Sequence, residues 1–163
     1  MTFLLALMMM LGLFLLLWAG VGFIQNKKFF SSCPREVYDR IQAKEKRFNG
    51  QYVFGWGLAI FALLLMGAAL LIGVENGIQS GFSFGQFFIR FLSMLLLLKV
   101  FDILFFDWFL LSKRGLGFFE KYYPEVAELL SSSLFGYNKR EHLIQTITIV
   151  LASLLAAWIC TLF

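Results

Sequence analysis

Four charged residues, Arg90, Lys99, Asp102 and Asp107, interrupt an otherwise apolar stretch, FGQFFIRFLSMLLLLKVFDILFFDWFLLSK, from Phe84 to Lys113. A charge at membrane depth is costly, so chains keep one there when it is paired or faces a watery cavity. On a helix advancing about 100° per residue, Lys99 and Asp102 lie about 60° apart on one face, within ion-pair reach. Asp107 falls about 80° to the other side of Lys99, and Arg90 points about 180° away. With the cytoplasmic boundary near Leu111, Asp107 sits about 6 Å inside the membrane, Asp102 about 14 Å and Lys99 about 18 Å. Arg90 then reaches the outer interface, where a long side chain can snorkel.

Three chemistries fit such a set. The first is a register-fixing ion pair between Lys99 and Asp102, with Asp107 held by hydroxyls of a neighbouring helix. The second is a proton or ion relay in which Asp102 or Asp107 titrates and Lys99 is the counter-ion. The third is docking to the transmembrane helix of a partner subunit. The other polar stripe in an apolar segment is His142, Gln145, Thr146, Thr148 and Ser153. In an antiparallel pair, helical rise sets Asp107 level with Gln145, Thr146 and Thr148, and Asp102 level with about Ser153. The polar face of the charged helix is therefore expected to look at the last helix, or at a copy of itself in an oligomer.

The elements that carry these residues follow from composition. Of 163 residues, 60% are hydrophobic and 15% charged, and the mean hydropathy is +0.80. Soluble domains average about 45–50% apolar and about 25% charged. The excess has no aqueous home, which predicts an all-α polytopic membrane protein: one domain, four transmembrane helices in one bundle. A span needs about 20 apolar residues, and four segments qualify, at about 3–24, 52–74, 84–111 and 143–163. The first has no Lys or Arg before it and ends in Lys27-Lys28 rather than a small-residue cleavage site, so it is read as a retained helix.

Charge sets the orientation. Loop 25–51 carries Lys27, Lys28, Arg35, Arg40, Lys44, Lys46 and Arg47, and loop 112–142 carries Lys113, Arg114, Lys121, Lys139 and Arg140. The short 75–83 turn and both ends carry none. The positive-inside bias makes both loops cytoplasmic and both termini outside, as in a bacterial cytoplasmic membrane. The net charge of +4 is spent on topology and does not point to nucleic acid. Pro34 and Pro124 each suit the first turn of a helix. Val37 and Ile41 after one, and Val126, Leu129, Leu130 and Leu134 after the other, make apolar stripes. Short amphipathic helices at the bilayer surface are expected in both loops, the first with a basic face toward anionic lipid or a partner; the alternative for the first is a solvated extension of span two that supplies topology charges.

Cys33 and Cys160 would lie a membrane thickness apart, too far for a disulfide. One histidine, no CxxC and no phosphate-cradling glycine loop give no metal or cofactor signal. Small residues four apart, Gly55/Ala59, Ala69/Gly73, Ala152/Ala156 and Ser153/Ala157, permit close helix approach.

Four helices with both termini outside is a plan similar to that of the membrane-associated eicosanoid and glutathione metabolism family, and RIQAKEKRFN resembles its basic first loop. Span two has Gln51 where an acidic residue is expected, and the connection to span four is too long, so the chain is not assigned to it. The expected function is an accessory, structural or assembly subunit of a membrane complex or homo-oligomer. An oligomeric transporter using the charged face is the alternative. A membrane-interface enzyme using His142 and Glu141 on a lipid-like substrate ranks third.

Overall fold

The computed structural model describes residues 1–27, 35–42, 44–105, 118–129 and 139–162. No strand occurs among them. Helix α1 (Thr2–Trp18) continues as a π-helical turn over Ala19–Ile24. Helix α2 is Arg35–Arg40, α3 is Gln51–Gln79, α4 is Phe84–Phe101, α5 is Phe118–Tyr122 and α6 is Lys139–Cys160. A 3₁₀ segment, Pro124–Leu129, follows α5.

Leu- and Met-rich sequence without proline explains why the long helices form. Their ends have local causes. Gln25 turns left-handed (φ 50°) and its N–H reaches back to the Gly20 carbonyl, closing α1. Gly50 (φ 88°) supplies the left-handed step before α3, and Gly81 (φ 65°) the one before α4. Ser83 and Gln86 then form a reciprocal capping box at the start of α4.

Among the described residues, three helices are long and apolar enough to cross a membrane: Thr2–Ile24, Gln51–Gln79 and Arg140–Cys160. The segment expected to be the third of four spans is helical over Phe84–Phe101, about 27 Å at 1.5 Å per residue. Residues 102–105 continue it with π geometry. Asp107 lies outside the described residues.

Small residues set the packing. On α3 the buried positions Gly55, Ala59, Ala62, Ala69, Gly73 and Gly77 run as one stripe, so α1 and α4 can approach its backbone. Gly12 of α1 meets Met66 and the Ala62 carbonyl, Gly55 meets Phe23 and Ile24, and Gly77 meets the Phe87 ring. Leu5, Ala6, Met9, Ala69 and Met94 form the core between α1, α3 and α4. Helix α6 lies on the far side of α4, where Phe87 and Phe91 pack on Ala157 and Cys160. Ser153 and Ala157 of the expected small-residue face are buried, whereas Ala152 is exposed.

The apolar stripes of the two long loops meet each other. Val37 and Ile41 pack with Tyr123, Val126 and Val21 in one buried cluster. Expected as surfaces lying on lipid, they instead bury protein against protein, because the 3₁₀ segment docks on α2 and the end of α1. The second loop shows a 3₁₀ turn rather than an amphipathic α-helix over 124–129, and Leu130 and Leu134 lie outside the described residues. Lys44 seals the junction, its ammonium 2.7 Å from Glu125 Oε2, while the Gln42 N–H donates to Glu125 Oε1 at 3.3 Å.

That pair makes a pH prediction. Burial pushes the pKa of the Glu125 carboxyl up, but the Lys44 and backbone hydrogen bonds outweigh it and hold the group below its usual range. A carboxylate with a depressed folded pKa stabilises above its unfolded pKa, and that contribution is lost as pH falls through the folded value. Glu125→Gln is expected to lose about 1 kcal/mol at neutral pH. The difference from wild type should shrink as pH falls through that lowered value, because wild type is then protonated too. Thermal unfolding in detergent across pH 3–7 checks this; a constant difference would contradict it.

Candidate functional site: the Lys99 cluster and its supports

Lys99 comes from the last turn of α4 and is 7% exposed. Its ammonium donates to Asp102 Oδ2 at 2.7 Å and to Gln145 Oε1 of α6 at 2.5 Å. The i,i+3 spacing supplies the first contact and antiparallel packing the second. The Asp102 side chain is 33% exposed, so the pair is lopsided: a buried cation and a half-open anion. Asp102 also begins the π-helical continuation of α4, a geometry frequent at functional positions.

The polar face of α4 thus does meet α6, but at another register. Gln145 is level with Lys99, whereas equal rise from a boundary at Leu111 had set it level with Asp107. Phe87 and Phe91 packing on Ala157 and Cys160 sets the alignment, sliding α6 by about two turns relative to that reading. Ser153 is correspondingly far from Asp102, and its buried hydroxyl donates to its own helix at the Ile149 carbonyl, 2.7 Å. Thr146 and Thr148 do likewise, to the His142 and Ile144 carbonyls. His142 is half-buried in the first turns of α6. Because α6 starts at Lys139, Gln145 is about 9 Å along it, and the cluster lies close to the loop end of the helices rather than at mid-depth.

Arg90 is placed differently from its expected snorkelling position. It is 6% exposed, wedged between α3 and α4, and Nη1 donates to the Gly73 carbonyl at 2.8 Å. The guanidinium stacks on Phe82 at 4.2 Å. Among the described residues it has no ion pair. Glycine at 73 has no side chain to cover its carbonyl, which leaves it open to a second donor. Sequence periodicity carried no sign of this, since the carbonyl belongs to another helix.

A second polar node, missed in the sequence, closes the end of α1. Gln51 is 1% exposed; its Nε2 donates to the Phe23 carbonyl at 2.7 Å and to Gln25 Oε1 at 3.3 Å, and its Oε1 accepts from the Arg47 N–H at 2.9 Å. The Arg47 guanidinium donates to the Gly22 carbonyl and lies over the Phe23 and Tyr122 rings. These two residues satisfy carbonyls that a helix end leaves open. The signal available was Gln51 next to Gly50, a polar residue opening an apolar helix. Gln51→Leu is expected to cost about 2 kcal/mol, because it strands the buried Phe23 carbonyl. Chemical unfolding in micelles reads this, and a loss below about 0.5 kcal/mol would refute the capping role.

The other basic loop residues are dispersed. Lys27 lies over Tyr38 at 4.5 Å and Lys46 over Tyr52 at 5.1 Å, while Arg35 and Arg40 are exposed on α2 beside Glu36 and Asp39. Lys28 and Cys33 lie outside the described residues. No group of three His, Cys, Asp or Glu side chains able to hold a metal ion occurs among the described residues.

The chain was compared with protein-family models, with curated proteins and with solved structures, and none of the three gave a match. Its class is read from its own helices: a helical chain in which three segments, among the described residues, are long and apolar enough to span a membrane.

Proposed function

We propose that this chain is a four-span integral membrane protein, α4 being the additional span, with both termini outside and the α2 and 3₁₀ loops cytoplasmic. It acts as an accessory or assembly subunit of a membrane complex. The observation that carries this reading is the Lys99 ammonium held within the chain by Asp102 and Gln145. The same contacts fasten α6 to α4, which is the register-setting use of a buried ion pair. The Arg90 contact to Gly73 fastens α4 to α3 in the same way.

Transport is the second reading, favoured by the half-open Asp102 carboxylate at the start of the π-helical turn. Flux separates the two. Purified protein in liposomes should pass protons and monovalent cations no faster than empty vesicles, and Asp102→Asn should change stability alone. Wild-type flux that disappears in a folded Asp102→Asn variant would overturn the accessory reading.

A further inference from the structure

Helix α6 uses one face, Ser153, Ala157 and Cys160, against α4. About 80–140° round from Ser153 lies a flank made by Gln145, Thr148 and Ala152 at spacings of three and four residues. All three are exposed. Thr148 turns its hydroxyl back to Ile144, but Gln145 cannot satisfy itself. Its carbonyl oxygen accepts from Lys99, while among the described residues its amide NH₂ makes no hydrogen bond. Even where the loop end of α6 enters the bilayer, a primary amide with two idle donors facing lipid is costly. The adjoining Asp102 carboxylate is open as well, so donors and acceptors stand side by side on one surface.

We propose that this flank packs against the same flank of a second copy of the chain, the Gln145 NH₂ of each copy donating into the Lys99–Asp102–Gln145 cluster of the other. A second copy fits because the surface is self-complementary: an amide offers both donor and acceptor, as a two-fold interface requires. Ala152, one turn beyond Thr148, lets two helices approach closely. The inference rests on α6 lying in the membrane, as in the function proposed above, and the cluster is complete only in the dimer.

The test uses full-length protein in liposomes with Cys33 and Cys160 replaced by serine, and single cysteines introduced one at a time. Thr148→Cys and Ala152→Cys should form inter-chain disulfides under mild oxidation. Ile147→Cys and Leu154→Cys, exposed on other sides of α6, should not. In the wild-type background Gln145→Leu should weaken dimerisation about tenfold. Ala152→Leu leaves the Lys99 contacts intact and should abolish cross-linking at position 148 without loss of fold. Equal cross-linking at all four positions, cross-linking at none, or a monomeric mass in nanodiscs would overturn the proposal. Labelling with a water-soluble maleimide separates the causes of failure. Reaction at both 147 and 152 would mean that α6 is not in the bilayer, whereas protection without cross-links would mean that it spans alone.

Discussion

Asp102→Ala should destabilise the protein by about 3 kcal/mol, and Lys99→Met by only about 1 kcal/mol, although each deletes one partner of the same contact. The asymmetry follows from burial. Removing Asp102 leaves the Lys99 ammonium, 7% exposed, with a single neutral acceptor on Gln145. Removing Lys99 leaves a carboxylate that is already one-third open. The double variant Lys99→Met/Asp102→Ala should recover most of the loss, because no uncompensated charge remains and methionine fills the space of the lysine stem. Equilibrium unfolding in mixed micelles, run as a double-mutant cycle, gives all three values. Equal losses in the two single variants would mean that the pair is not lopsided in the membrane.

Gly77→Ala should cost about 3 kcal/mol while Gly67→Ala, ten residues earlier on α3, is neutral or stabilising by up to about 1 kcal/mol. Alanine is the better helix former at both positions, so propensity alone predicts a gain twice. Packing reverses one of them. A Cβ on Gly77 would lie 2.3 Å from Phe87 Cε1 and 2.7 Å from its Cζ, whereas one on Gly67 meets nothing within 4 Å. The Phe87 ring cannot retreat, being buried between Phe82, at 5.6 Å, and Phe91, at 6.1 Å. Thermal unfolding of the two variants side by side reads the sign; a stabilised Gly77→Ala would mean that α3 and α4 do not approach as closely as described.

Much of the site was legible. Lys99 and Asp102 are three residues apart, so helical geometry alone pairs them, and the polar positions of the last helix nominated Gln145 as a neighbour. The small residues of α3 announced a close-packed face, and Gly55, Ala59, Ala69 and Gly73 are buried on it. The register was not legible. It depends on where aromatic rings of α4 find gaps on α6, and a rise count from an assumed boundary contains no such information. Arg90 went astray for a related reason: a lone cation near a helix start snorkels by default, and only the open Gly73 carbonyl on another helix gives it an interior position.

The loops show the division most clearly. The spacing of Val37 and Ile41, and of Val126 and Leu129, marks an apolar stripe in each loop, but a stripe does not name what covers it. Lipid and protein both satisfy the hydrophobic effect, which has no direction. Tyr123 and Val21, distant in sequence, supply the protein answer. Sequence by itself determined what is local or compositional: helices of membrane length, the small-residue stripe, the i,i+3 ion pair and the gathering of cations into loops 25–51 and 112–142. Tertiary structure alone decided the α4–α6 register, the interior place of Arg90, the Gln51 and Arg47 caps on α1 and the docking of one loop on the other. Each of these is a contact between segments far apart in the chain, whose geometry follows from side-chain shape rather than from periodicity.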